Sequence, residues 1–408
     1  MPNPADDPRP SRLALWRAFF TFILVLLTIL GGSWLVVGRL LVPILPGGWR
    51  TIITAATLFT IVPFIVFLGA RMGNVYPGRF MRLVVFRPFW YAQMFLLFGA
   101  LTGGIGAIAG LPFGYAGTMG RAVLIVFVVA YTIVMVAGYV GSRALRVREV
   151  TATFAGLPSE FDGLRIAQVS DLHVGPHSRD DHLRGVALAV TNARADVIAV
   201  TGDMVDDFPG DVARYAKYFG SWAAPYGVYA IAGNHDVYAG WKEVRDELEK
   251  LPITVLVNDS RTLERTGARI AIAGTGDPAA GPGGDSATGS PNIDAMLSTV
   301  PANTFVVALA HNPALWPALA KRGVDLTLSG HTHWGQFAIE SRGWSLATPF
   351  LRHSMGGHTD RNAALWINPG TSYWGIPFRI GAASEVTIVT LRRGSATSLA
   401  VQPARGTK

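Results

Sequence analysis

RIAQVSDLH, residues 165–173, decides how the fold is read: a short apolar run with the alternation of a strand breaks off abruptly into the polar cluster Ser170, Asp171 and His173. The same figure returns four times, as DVIAVTGD (196–203), GVYAIAGNHD (227–236), TFVVALAHN (304–312) and VDLTLSGHTH (324–333). Helical stretches are predicted between and after these runs, at 181–192, 211–219, 241–251 and 314–322, the last opening after Pro313. Strands interleaved with helices spell a layered α/β domain. In such folds ligands bind outside the carboxyl ends of the strands, so five polar clusters can converge on one place. One long segment interrupts the pattern, GTGDPAAGPGGDSATGSPN (274–292), whose Gly, Pro and Ser content predicts a mobile loop of the kind that covers a site.

Upstream of residue 150 the chain changes character. Half of its 408 residues are hydrophobic and only 15% are charged, a balance too apolar for a soluble enzyme. The excess lies in four runs, 18–38, 51–70, 89–109 and 122–141, each long enough for the about 20 apolar residues a membrane span needs. The first exceeds the apolar core of a signal peptide and three more follow it, so it reads as a span. None holds an Asp, Glu, Lys, Arg or His. An ionisable group inside a span is the usual mark of a transport path, so these runs read as an anchor and the transporter reading falls away. Trp16, Trp34 and Trp90, near span ends, suit an interface.

Charge divides with hydropathy. Residues 1–150 carry 13 Arg and Lys against 3 Asp and Glu, whereas 151–408 carry 22 against 24. The net +8 therefore belongs to the membrane part, and no nucleic-acid partner is expected of the soluble domain. Arg9, Arg12, Arg17, Arg71, Arg79, Arg82, Arg87, Arg143, Arg146 and Arg148 fall on one side of the four spans and only Arg39, Arg50 and Arg121 on the other. The positive-inside rule then predicts a multi-pass protein of the cell (inner) membrane with its soluble domain in the cytoplasm. The boundary is expected near residue 148, giving a membrane region 1–148 and a soluble domain 149–408. There is no cysteine, which removes thiol catalysis and thiolate metal sites.

Five of the nine histidines sit at strand ends beside Asp or Asn: His173, His235, His311, His331 and His333. With Asp171, Asp203 and Asn234 they make an oxygen and imidazole set large enough for two metals, of the kind that suits Mn, Fe or Zn. A lone Asp and His pair is ordinary; the ordered set of five clusters is specific. Gly202, Gly233 and Gly330 are placed to let backbone turn tightly beside them.

In this order SDLHVG, TGDMVD, AGNHD, AHNP and GHTHWGQ resemble the motif series of the calcineurin-like metallophosphoesterases, over about the last 250 residues. INPGTSYWGIPFR (367–379) resembles the closing segment of that family's bacterial membrane-associated branch. The resemblance implies a β-sandwich flanked by helices, here preceded by an all-α region of four transmembrane helices. It implies a phosphodiesterase or phosphomonoesterase with two divalent or trivalent ions. Asp171, His173 and His333 would hold one ion, Asn234, His311 and His331 the other, with Asp203 bridging. A hydroxide between them would attack phosphorus in line, since two close cations clamp both oxygens and lower a water's pKa. His235 would protonate the leaving oxygen and Asp236 would orient its ring. Asp206 completes the GDxxD pattern as an outer partner or a solvated carboxylate. Trp334 departs from the small residue usual after GHTH and is expected to reshape the substrate pocket.

His177, His182, His353 and His358 have no motif partner and read as surface loop residues. The anchor adds an expectation about the substrate: a site tethered at a bilayer meets lipid at high effective concentration, which favours a lipid-linked phosphate over a soluble one. The competing class is a membrane scaffold or sensor without catalysis, whose sign would be degenerate ligand positions; every position is filled here.

Overall fold

The computed structural model describes residues 12–72, 78–175, 178–206, 208–281 and 289–407, and these divide into two compact units, Met1–Met135 and Val136–Lys408. The first unit is helical. Arg12–Leu41 is followed by Trp49–Ala56, which runs through a π turn at Thr57–Ile61 into Val62–Met72; Arg79–Met81 leads through a second π turn, Arg82–Phe86, into Arg87–Gly110, and the helix Ala116–Gly141 follows, its residues beyond Met135 belonging to the second unit. Four of the helical stretches, Ile23–Leu41, Trp49–Gly69, Arg82–Phe113 and Ala116–Gly141, are long and apolar enough to cross a membrane. Their packing relies on small residues: a Cβ at Gly103 would lie 2.7 Å from Leu40, and one at Gly106 2.8 Å from Val123. The π turn is stitched by polar groups, with Gln93 donating to the Phe59 carbonyl at 2.8 Å and the Trp34 indole to Thr60 at 3.0 Å.

The second unit is a sandwich of two sheets. In the first, the strand order is Ser398–Val401, Leu145–Phe154, Ser384–Arg393, Arg165–Val169, Val197–Val200, Val228–Ala230 and Thr254–Val255. In the second it is Gly356–Asp360, Ala363–Ile367, Leu326–Ser329, Phe305–Leu309, Ala268–Gly274 and Asp259–Arg265. Alternation places Ile166, Val197 and Ala199 of the first sheet in one buried cluster with Ile272, Val307 and Leu328 of the second. The other face of the first sheet buries Ala167, Ile198 and Val200 beneath the helices Asp180–Ala193, Val212–Phe219 and Asn234–Leu248. Ile293–Leu297 and Trp316–Lys321 cover the outer face of the second. The expected β-sandwich flanked by helices is the architecture found.

Register sets up the site. Arg165–Val169, Val197–Val200 and Val228–Ala230 run parallel, with Val169 opposite Val200 and Val200 opposite Ala230. Ala268–Gly274, Phe305–Leu309 and Leu326–Ser329 are parallel too, with Gly274 opposite Leu309 and Leu309 opposite Leu328. Each set of strands therefore ends along one edge, and the edges are joined where Gln168 donates to the Ser329 carbonyl at 2.9 Å. Beneath this edge lies a buried ion pair, Arg148 Nε to Glu385 Oε2 at 2.6 Å. The guanidinium also reaches Glu340 at 2.6 Å and lies 5.7 Å from the Trp334 ring. Removing one partner of such a pair leaves a charge stranded in the interior, which costs about 3–5 kcal/mol.

Two expectations shift. The helix predicted from 241 begins at Asn234 and passes a kink at Gly240, whose φ of 109° breaks the pattern read from sequence. The loop predicted at 274–292 is described only at its ends, residues 282–288 lying outside the described residues. Those ends are clamped by Asn258, which donates to the Ser290 carbonyl at 2.7 Å and accepts from Gly276 and Asn292 at 3.2 and 2.7 Å.

Candidate metal centre

Each strand end turns into a strained loop. Asp171, His173, Asp203, His331 and His333 have φ values of 52°, 42°, 52°, 69° and 48°. Non-glycine residues in the left-handed region each cost of the order of 1–2 kcal/mol, and such strain gathers where surrounding structure overrides it for function. Here the override is a lattice of backbone bonds: Asp171 N–H to the Gly202 carbonyl and His173 N–H to the Asp203 carbonyl, both at 3.0 Å, with Ser372 N–H to the Asp171 carbonyl at 3.1 Å. Glycines permit the close approach. A Cβ at Gly233 would overlap the Asp203 carboxylate, and one at Gly330 would overlap Ser170 and Asp171.

The seven expected ligands come together. His333 Nε2 lies 3.1 Å from His173 Nε2 and 3.2 Å from Asp171 Oδ1. Asp203 Oδ2 lies 3.7 Å from His173 Nε2 on one side and 3.2 Å from His311 Nε2 on the other. Asn234 Oδ1 lies 3.1 Å from His311 Nε2 and 2.8 Å from His331 Nδ1. Two groups of donor atoms thus share Asp203. His311 Nδ1 donates to the Thr201 carbonyl at 2.8 Å, which turns the lone pair of its Nε2 inward. Clustered imidazole nitrogens and carboxylate oxygens are a donor set that suits a first-row metal ion, and groups such as Asp171, His173 and His333 could hold one.

The electrostatics follow from burial and these contacts. Burial would lift the Asp203 carboxyl, but His311 and His173 hold it below the usual carboxylate range. In turn Asp203 outweighs burial at His311 and raises that imidazole well above its ordinary value. Burial lifts Asp171, lowers His333 well below the usual imidazole range, and takes His331 down to about 4, so these two rings are neutral and have lone pairs to give.

His235 lies on the first turn of Asn234–Leu248 and donates from Nδ1 to the Asp206 carbonyl at 2.6 Å. Asp236, expected to orient that ring, does something else. As the third residue of the helix it reaches back to cap its start, accepting from Gly233 N–H at 2.9 Å and from Met204 and Val205 N–H at 2.9 and 3.1 Å. Burial and the Asp203 charge push its carboxyl up to about 7. Asp206 supplies both outer contacts: its carbonyl to His235, and its carboxylate 3.3 Å from His173 Nδ1. Trp334 is also corrected. It is 1% exposed, packs among Trp316, Met355, Leu365 and Ile367, and donates to the Ile367 carbonyl at 3.0 Å, so its ring belongs to the core.

His182, His353 and His358 are half-buried rather than free surface groups; His182 Nε2 is 2.9 Å from the Thr371 carbonyl, while His353 and His358 pack on Trp316. His177 lies outside the described residues. Sequence reading missed Tyr238 and Trp374, exposed aromatics whose rings stand 5.7 and 6.0 Å from that of His235.

Sheet order and the Asp, Asn and His side chains gathered at the strand ends match the arrangement that the resemblance to the metallophosphoesterases implies. The calcineurin-like phosphoesterase family matches residues 164–335, and the chain carries that domain. It is 31% identical over 265 residues to the transmembrane protein with metallophosphoesterase domain of Danio rerio, covering 61% of this chain and 57% of the relative. An uncharacterized metallophosphoesterase of Campylobacter jejuni is 29% identical over 254 residues, covering 62% and 65%. YkuE of Bacillus subtilis, an uncharacterized metallophosphoesterase, is 27% identical over 263 residues, covering 63% and 88%. The chain thus spans less than two thirds of the first two relatives.

Gly330→Ala deletes no ligand but drives a methyl into Asp171. It is expected to weaken binding of one cation at least 10-fold, the range seen when ligand support is disturbed. Isothermal titration with Mn2+ measures it; affinity equal to the parent would contradict the close-approach argument.

Proposed function

We propose that the chain is a membrane-anchored, metal-dependent phosphoester hydrolase. The convergence of seven donor atoms on two positions that share Asp203 carries this reading. Asp171, His173 and His333 would hold one cation and Asn234, His311 and His331 the other, with Asp203 within reach of both groups. When bound, the pair supplies Lewis acidity toward the phosphoryl oxygens and a water activated near neutral pH.

The chain's own groups do the rest. With Nδ1 donating to the Asp206 carbonyl, His235 in its imidazolium form would carry its second proton on Nε2 and give that one to the leaving oxygen. The capped helix start fixes where the His235 backbone sits, and its N–H donates to Asp203 Oδ1 at 2.8 Å. Asp236 therefore supports catalysis as a cap rather than as a partner of the ring. His235→Ala is expected to lower kcat about 10²–10⁴-fold for an alkyl phosphoester. The loss should be much smaller for p-nitrophenyl phosphate esters, whose leaving group needs no proton. Equal losses on both substrates would remove His235 as the acid.

A lipid-linked phosphoester is the substrate class favoured by the four spans and by the exposed Tyr238 and Trp374 beside His235, which offer apolar surface to a nonpolar leaving group or chain. Detergent-purified protein loaded with Mn2+ is expected to hydrolyse phospholipid or lipid-linked phosphate in mixed micelles faster than nucleotides. Turnover confined to the nucleotides would defeat the lipid assignment and leave the hydrolase.

The arginine bias favours a domain on the cytoplasmic face of the inner membrane. A reporter that is active only in the cytoplasm, fused after Lys408, is expected to give signal. Signal from an outward-facing reporter instead would reverse the topology.

A further inference from the structure

Exposed apolar side chains are unevenly spread over the second unit. Beyond Gly141, nine large hydrophobic residues are exposed among the described residues, and four of them, Ile339, Leu346, Phe350 and Leu351, fall within 13 consecutive positions. Single exposed hydrophobics are ordinary, whereas a cluster marks a contact surface. Phe350 is 85% exposed, so its ring packs on almost nothing in the chain.

Local structure holds the cluster together. Ala338–Ile339 and Trp344–Ser345 form a hairpin, with Ala338 opposite Ser345 and Ile339 opposite Trp344. Alternation buries Ala338 and Ser345 and turns Ile339 outward. The chain then folds back on the hairpin: Leu346 N–H donates to the Phe337 carbonyl at 3.0 Å, and Phe350 and Leu351 N–H both donate to the Ala347 carbonyl at 3.0 Å.

The position of the hairpin says what meets it. Ala338 N–H donates to the Ile380 carbonyl at 2.9 Å, and Ile380 N–H to the Gln336 carbonyl at 3.0 Å. One residue earlier, Arg379 N–H donates to the Gly138 carbonyl at 2.9 Å, and a Cβ at Gly138 would overlap the Phe378 ring. Gly138 lies three residues inside the end of the apolar helix Ala116–Gly141 and belongs, with the hairpin, to the second unit. The hairpin is thus one strand spacing, about 5 Å, from a segment that touches the helix within its apolar length. The headgroup layer adds about 5–8 Å to each side of the hydrocarbon, which puts the hairpin at headgroup depth.

Charge agrees with this. Residues 338–352 hold two exposed arginines, Arg342 and Arg352, and one acid, Glu340, which is paired with Arg148 at 2.6 Å. Arg143 and Arg146 are exposed just past the helix end. Apolar side chains flanked by arginine lodge at the boundary of an anionic bilayer. Trp374, whose N–H donates to Gln336 Oε1 at 2.9 Å, carries the exposed surface on to the ring of His235, 6.0 Å away.

We propose that residues 339–352 are a bilayer-docking surface: Phe350, Leu346, Leu351 and Ile339 enter the boundary between headgroups and acyl chains, and Arg342 and Arg352 meet anionic headgroups. The second unit is then held to lipid at two places, the helix end and the hairpin. Docking at the second turns the rim beside His235 toward the bilayer. The contact needs no cation and stands independently of the hydrolase reading.

The chain has no cysteine, so one introduced thiol places a spin label at one position. Phe350→Cys and Leu346→Cys are labelled in full-length protein reconstituted into nanodiscs of phosphatidylcholine and phosphatidylglycerol in a three-to-one mixture. Thr262→Cys, exposed on the outermost strand Asp259–Arg265 at the far edge of the second sheet, is the water-facing control. Power saturation reads how often each label meets oxygen, which concentrates in acyl chains, and a water-soluble nickel chelate. Labels at 350 and 346 are expected to meet nickel about 5-fold less often than the label at 262, and oxygen more often. Arg342→Glu with Arg352→Glu should raise nickel access at 350 about 2-fold or more. Both labelled positions are exposed, and either decides if the other variant fails to fold.

Nickel access at 350 and 346 equal to that at 262 would overturn the proposal. So would labels shielded from both reagents and broadened by a neighbouring spin, since a second copy of the chain would then cover the hairpin. Access unmoved by the two charge reversals would overturn the assignment to anionic lipid.

Discussion

The second unit is organised around one convergence of polar side chains. Two carboxylates, an amide oxygen and four imidazoles are brought together at the strand ends, with neighbouring donor atoms 2.8–3.7 Å apart. The rest of the domain enforces it. Parallel registers bring the strand ends to one edge, backbone bonds lock five ligands into left-handed conformations, and glycines remove the methyl groups that would keep the carboxylates apart. In the proposed function a bound cation would offset that strain, the pattern expected where structure has been built for chemistry rather than rigidity.

Much of this was legible along the chain because strand ends announce themselves. An apolar run that stops at Asp, His or Asn locates both the strand and the ligand, and the parallel sandwich brings such ends together; Asp171, His173, Asp203, Asn234, His311, His331 and His333 meet accordingly. The four apolar runs were equally plain, since length and hydropathy alone define them. What remained hidden depends on which way a side chain turns. Asp236 follows His235 directly, yet its place on the helix makes it a cap, and Asp206 takes the outer role instead. Trp334 directly follows His333, but at a φ of 49° it turns into the core.

The two layers of support differ in kind. Immediately behind the ligands are main-chain groups, such as the Thr201 carbonyl that fixes His311 and the Asp206 carbonyl that fixes His235. These hold whatever side chains stand there, so they leave no trace in the sequence. Behind them are buried ions, Arg148 with Glu385 and Glu340, packed beneath the Trp334 ring. Such ions contribute little net stability, but they tolerate only one arrangement. The turn 333–336 is braced by them.

One property of the sandwich reaches beyond the chemistry. Its ligands are divided between the two sheets, with Asp171, His173, Asp203 and Asn234 following strands of the first and His311, His331 and His333 following strands of the second. If the proposed centre takes up its ions, complete coordination requires both halves to have docked, and ion binding and folding become one equilibrium, in which every tenfold rise in free ion above its dissociation constant adds about 1.4 kcal/mol to the folded state for each ion held. Shortage of the ion would then loosen the fold along with the site.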